Sequence, residues 1–174
     1  QKKFYDRVNL KIITLNNNNW NFKLTNRSTA FFINGGAGRV LSSIPALELY
    51  AQENPNDNFI IVCEGGMDLY KGHPTLHQRA YDNFHKDLFT DKLKDRNCLS
   101  PEPYRIWEYY NQKCSLAQAF DISINNKGIR DLKIPTIYLG QEEFYAGINT
   151  VKEVKEKTKK SKIIVFQPFG RSSH

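Results

Sequence analysis

Two continuous apolar runs limit most severely what this chain can become. Thr29–Asn34 (TAFFIN) and Phe59–Cys63 (FIIVC) do not alternate apolar with polar residues, so each reads as a strand buried on both faces. Between them Val40, Leu41, Ile44, Leu47 and Leu49 or Tyr50 recur three or four residues apart, a helical period that ends near Asn54-Pro55. Gly35-Gly36-Ala37-Gly38 joins the first strand to the helix. Strand, helix and strand of this kind predict a β-α-β unit with Ala30–Asn34 and Phe59–Cys63 as adjacent parallel strands joined by a right-handed crossover. The predicted fold class is α/β with a mainly parallel sheet.

The chain has 174 residues, enough for one domain with its own core but not for two of full size. At 40% hydrophobic and 13% aromatic it reads as globular. No apolar run approaches the roughly 18 residues of a membrane-spanning helix, and the N-terminus lacks the apolar stretch of a signal peptide. The formal net charge of +7 permits an anionic partner without identifying one, and a specific nucleic-acid partner is not expected. Much of the basic excess lies in Val151–Lys162, where Lys and Glu alternate as on a solvated helix or a polyanion-binding face. Cys63, Cys98 and Cys114 are odd in number and show no CxxC pairing, so a reducing, cytoplasmic compartment is expected, with neither disulfides nor zinc.

Residues 1–28 read as a small N-terminal hairpin, with β-prone runs at Leu10–Thr14 and Trp20–Leu24 around Asn16–Asn19. Residues 29–161 read as the main domain. Within it the pattern from Met67 to Asn97 is mixed. One long helix is expected over Tyr104–Ile122, with Trp107, Tyr110, Cys114 and Ala117 as a core stripe. Pro135–Leu139 reads as a short extended segment, Gln141–Lys160 as a helix and Lys162–Gln167 as a further strand. Residues 162–174 are expected to begin a second domain, and the two ends, Gln1 and His174, suggest a piece of something longer.

Two constellations carry candidate chemistry. In Gly35, Gly36, Gly38 and Arg39 a glycine turn lets backbone N–H groups approach a ligand at a helix N-terminus, and a guanidinium adds a fork for carboxylate or phosphate. Tight strand-helix packing is the alternative reading of the same glycines. The turn lacks the Gly-Lys-Ser/Thr of a P-loop, and Leu41 holds the third position of GxGxxG. Glu64, at the second strand's end, occupies the place of a ribose-binding carboxylate. The second constellation is Gly170, Arg171, Ser172 and Ser173, a turn of small residues, hydroxyls and a guanidinium suited to a diphosphate, or simply a frayed tail. His73, His77, His85 and His174 match no metal-binding spacing, and no nucleophile elbow or Cys/His pair is present.

The order Gly35–Leu47 (GGAGRVLSSIPAL), Glu64-Gly65-Gly66 and Gly72-His73-Pro74 resembles the heptosyltransferase-like family of GT-B glycosyltransferases, glycosyltransferase family nine. Ile137–Leu139, Glu142-Glu143 and the following helix are similar to that family's bridge between domains, and Ile164–Gly170 to the strand that opens its second domain. The resemblance spans about Ala30 to Ser173. It implies a Rossmann-like three-layer domain, the GT-B N-terminal half, binding a glycan or other hydroxyl acceptor. A nucleotide-diphosphate sugar is the implied donor, held by Gly170–Ser173 and a second domain, with no metal and no further cofactor; peripheral membrane contact remains compatible. The family's turn carries an aspartate implicated as base, and here Arg39 stands in its place. A guanidinium cannot accept a proton near neutral pH. Glu64 or Asp68 is then the candidate base; the other readings are a binding module without catalysis and a dinucleotide-binding domain.

Overall fold

The computed structural model describes residues 12–13, by backbone only, and 28–166. The strands are β1 (Ile12–Ile13), β2 (Thr29–Ile33), β3 (Ile60–Cys63), β4 (Ala80–Asp82) and β5 (Asn97–Leu99). They form one sheet in the order β1-β5-β2-β3-β4, and every pairing is parallel. The two apolar runs are neighbours, with Ala30 opposite Ile60 and Ile33 opposite Cys63. The chain is thus an α/β domain of Rossmann-like three-layer type. Ile12–Ile13 of the expected hairpin extends the sheet beside β5; its second arm, Trp20–Leu24, lies outside the described residues.

One face of the sheet is covered by α1 (Ala37–Glu53), whose Val40, Ile44, Leu47 and Tyr50 pack with Phe31, Phe59 and Ile61. The Phe31, Tyr50 and Phe59 rings meet edge to face, the Phe31 and Tyr50 centroids 4.8 Å apart. Each such side chain contributes roughly 1.5–3 kcal/mol by leaving water. On the other face Leu88 and Leu93 cover Ala30, Ile60 and Val62. They belong to an irregular connection between β4 and β5 that contains a single π turn, Leu88–Lys92. The mixed pattern of Met67–Asn97 therefore hides short turns and β4 rather than a regular crossover helix.

The single helix expected over Tyr104–Ile122 is not formed. The chain makes a 3-10 turn at Pro103–Arg105, a short α2 (Trp107–Tyr110) and then α3 (Leu116–Asn125). Gln112 turns through a left-handed conformation at φ +56°, which no helix continues through. Ser115 then starts a new helix by a capping box with Gln118. The expected core stripe fails with the helix, since Trp107 is 58% and Tyr110 80% exposed. Ile106, Ala119, Phe120 and Asp121 are the buried residues on that stretch instead.

The chain separates into two compact units, one running to Tyr138 and the other from Leu139. The expected boundary lay instead between 161 and 162. The second unit contains α4 (Gln141–Thr158), with Glu142 and Glu143 in its first turn, Lys155 and Lys157 in its last, and no buried residue. Helical periodicity shows that a helix forms, not which core it joins. No strand forms over 162–166, contrary to expectation, and Ile164, Val165 and Phe166 are exposed. Apolar β-prone residues make a strand only where a ladder partner is present. No helix is long and apolar enough to cross a membrane among the described residues.

A buried ion pair closes the first unit. Asp121 on α3 is buried, and Arg130 grips both its carboxylate oxygens while donating to Glu53 at the end of α1. The Asp121 and Glu53 carboxylates hold the Arg130 guanidinium firmly protonated. Arg130→Ala leaves Asp121 charged, buried and unpaired, and should cost about 3–5 kcal/mol in denaturant unfolding. Arg130→Ala with Asp121→Asn should recover part of that loss, and equal stability of wild type and Arg130→Ala would refute the account.

Candidate functional site

Because every strand is parallel, all carboxyl ends fall on one edge. From β2 the chain moves through β3 and β4, then returns to place β5 on the other side of β2. The strand order therefore reverses between β2 and β5, and α/β sheets bind ligands in the crevice at such a point. The predicted glycine turn after β2 stands there. Gly36 is the residue before α1, and Gly35 has φ +108°, a conformation that side chains rarely adopt.

The Glu64-Gly65-Gly66 turn after β3 leans on this first turn. A Cβ on Gly65 would lie 3.7 Å from the Gly35 carbonyl oxygen, and one on Gly66 would lie 3.1 Å from Ala37 Cα and 3.2 Å from Val40 Cγ2. Gly66 also has φ +71°. The close approach sets Glu64 beside the α1 N-terminus. Glu64 and Asp68, the two candidate bases, are both exposed, and among the described residues no hydrogen bond or ion pair engages the Glu64 carboxylate. Gly66→Ala meets both the strain and the clash, and should lower stability by about 1–3 kcal/mol in thermal unfolding. A neutral effect would show that the two turns are not in contact.

Arg39 corrects the sequence reading. Its guanidinium is not presented to an outside anion: Nη2 donates to the Pro101 carbonyl at 2.9 Å and to Glu102 Oε1 at 3.2 Å. The group also lies over the Tyr104 and Phe120 rings, 5.3 and 5.7 Å from their centroids. The side chain is only 15% exposed, and among the described residues Nε has no partner. Arg39 is a strut from the first turn of α1 to the segment after β5, and the carboxylate it pairs with belongs to the chain. Gly170, Arg171, Ser172 and Ser173 lie outside the described residues.

The strut borders a feature the sequence reading missed. Tyr104, Tyr109 and Tyr110 with Gln112 and Cys114 line a cleft of about 510 Å³. The Tyr104 and Tyr109 rings meet edge to face at 5.7 Å. Helical spacing assigned Tyr110 to the core; the signal that it is not was Asn111-Gln112-Lys113, a polar interruption next to a capping Ser115. Along the carboxyl edge the order is then Glu64, the glycine turns, Arg39 and the tyrosine cleft.

The thiols near this edge are held in their protonated form: burial, and then Glu108, raises Cys114 in the tyrosine cleft above its ordinary value. Burial pushes the Cys63 thiol up to about 12 and the Cys98 thiol up to about 11, so neither is a nucleophile near neutral pH. Among the described residues no three His, Cys, Asp or Glu side chains are grouped to hold a metal ion.

His73 of the Gly-His-Pro motif is structural. It is fully buried, its Nδ1 accepts from the Thr75 and Leu76 amides at 3.2 Å each, and its Nε2 meets Glu48 Oε1 at 3.2 Å. Nδ1 as acceptor leaves the proton on Nε2, which donates to Glu48. Burial holds the imidazole below its ordinary 6.5, outweighing the attraction of Glu48. The unfolded chain therefore binds a proton that the folded one refuses, and stability is full above about 6.5 and declines as pH falls below it. Denaturation between pH 7.5 and 5 should show this slope, and His73→Gln should flatten it whatever its absolute stability. An unchanged slope would exclude His73 as its source.

Comparison with known proteins gives no match: no family model fits the chain, and no curated protein or solved structure is similar to it.

Proposed function

We propose that the first unit binds the hydroxyl acceptor of a sugar transfer from a nucleotide-diphosphate sugar. The observation that carries this reading is the tyrosine cleft on the carboxyl edge, at the point where the strand order reverses. Aromatic faces accept the C–H faces of sugar rings while phenolic hydroxyls bond their polar groups, and the cleft's volume lies within the usual range for ligand sites. Exposed carboxylates at the same edge support the chemistry. In it an acceptor oxygen attacks the anomeric carbon, its proton passes to Glu64 or Asp68, and the bond to the diphosphate breaks with the electron pair leaving on the diphosphate oxygen. Gly170–Ser173 are the proposed diphosphate contact.

A second reading has a specific observation behind it. Arg39 occupies the resembling family's base position and is engaged within the chain, as suits a glycan-binding module without turnover.

Transfer of labelled sugar from a panel of nucleotide-diphosphate sugars to glycan acceptors separates the two. The enzyme reading expects Glu64→Gln or Asp68→Asn to lower kcat by about 100-fold or more, the usual weight of a general base. It also expects Tyr110→Ala, at an exposed position, to raise the acceptor KM by about tenfold with kcat little changed. Glycan binding that depends on Tyr110 without any transfer would establish the module, and full activity in both carboxylate variants would overturn the catalytic assignment.

A further inference from the structure

The amino edge of the sheet, opposite the site above, holds a second and chemically different cavity of about 340 Å³. It lies where the chain enters the strands: Ser28 precedes β2, Asn58 and Phe59 precede β3, Arg79 precedes β4 and Arg96 precedes β5. Its charged lining comprises Arg79, Lys92, Lys94 and Arg96 against Asp91 and Asp95.

Both arginines are fixed at one end and free at the other. Arg79 lies over the Phe59 ring, 4.4 Å from its centroid, and its Nη1 donates to the carbonyls of Asp57 at 3.3 Å and Phe59 at 3.1 Å. Among the described residues its Nε and Nη2 donors are left over. Arg96 donates from Nε to the Lys92 carbonyl at 2.7 Å and from Nη1 to the Asn58 carbonyl, which leaves Nη2. A guanidinium held this way has already lost most of its rotamer freedom, so a ligand need not order it.

The nearby carboxylates do not neutralise the pair. Asp91 is paired with Lys92 at 2.9 Å. Asp57 accepts from the Thr29 amide at 3.1 Å and from the Tyr50 hydroxyl at 2.6 Å. Asp57 and Asp91 attract the Arg96 guanidinium without forming an ion pair with it, Asp95 shares the lining, and among the described residues no ion pair engages Lys94. Burial works against the Arg96 charge, so an anion seated beside it relieves that cost.

We infer that this amino-edge cavity binds a phosphoryl group, held between the free donors of Arg79 and Arg96 with Lys94 beside them, and carried by a small molecule. Two fixed forks and an ammonium suit a tetrahedral, multiply charged oxyanion better than a single carboxylate. The volume exceeds that of a lone ion and is too small for a macromolecular surface. This inference is independent of the sugar-transfer reading, which concerns the other edge.

The whole chain should be titrated calorimetrically and by amide NMR with inorganic phosphate, pyrophosphate and glycerol 2-phosphate at constant ionic strength, with chloride and acetate as controls. Saturable binding is expected, with the amides of Phe59, Arg79 and Arg96 shifting and those of Gly35–Gly38 still. Tighter binding of the monoester than of inorganic phosphate identifies a phosphorylated metabolite; the reverse order identifies the free ion. Arg96→Gln should weaken binding about tenfold or more, and Arg96→Lys, which keeps the charge without the fork, should recover only part. Lys94→Gln, at an exposed position, should fold as the wild type does and still bind several-fold more weakly. Absence of saturable binding, equal response to acetate, or affinity unchanged in both Lys94→Gln and Arg96→Gln would overturn the assignment.

Discussion

Burial of β2 and β3 on both faces is the constraint on which the rest of the structure depends. Ala30, Phe31, Ile33 and Ile60–Cys63 are all buried, so neither strand has a face to give to water. Their amides and carbonyls must then be satisfied by ladders on both sides, since an unpaired buried backbone group costs about as much as a lost hydrogen bond. Parallel pairing requires the chain to return across the sheet between strands. α1 makes one return over one face, and the β4–β5 connection makes another, carrying Leu88 and Leu93 across the second face. Both edges of the sheet acquire their character from these returns.

The two edges are electrically unlike, and the difference follows from what ends there. At the carboxyl edge α1 presents the amide end of its dipole, and Glu64, Asp68 and Glu102 gather on the adjoining turns. At the amino edge the backbone offers carbonyls of Asp57, Asn58 and Phe59, and arginines from the following segments settle on them. Carbonyls cannot satisfy five donors in a planar fork from one side, so each guanidinium keeps donors for something else. A carboxylate-bearing edge suits proton transfer from a hydroxyl, and an arginine-bearing edge suits retention of an oxyanion.

What the sequence made legible was what local pattern determines. Four consecutive apolar residues between turns cannot hide in a one-faced strand, so Ala30–Ile33 and Ile60–Cys63 identify a parallel pair without reference to the remainder. The helix between them was equally clear despite Pro45 inside it, because its buried face continues on both sides of the proline. Tyr104–Ile122 was misread for the opposite reason. Its apolar residues keep helical spacing across Asn111–Cys114, but Gln112 leaves the helical region and Ser115 begins a new helix. The segments before and after the break do not share one buried face, so Trp107 and Tyr110, which precede it, are exposed surface rather than the expected core. The amino-edge cavity was illegible because Arg79 and Arg96 lie 17 positions apart and are brought to one edge only by the parallel ladder that runs from β4 through β3 and β2 to β5.

Arg39 shows how a residue can be located correctly and its role mistaken. Strand, turn and helix placed it at the carboxyl edge, and there it is. Its role is decided by the segment after β5, distant in sequence, which brings Pro101, Glu102 and Tyr104 to the guanidinium. For the same reason an aspartate at position 39 is not a simple return to the resembling family's base. It would withdraw the donor from the Pro101 carbonyl, leave the rings of Tyr104 and Phe120 without their cation, and set a second carboxylate toward Glu102. Like charges at that range disfavour ionisation of at least one of the pair. A carboxylate at 39 therefore needs a different residue at 102, whereas Glu64 stands on its own turn, its carboxylate in no ion pair or hydrogen bond among the described residues.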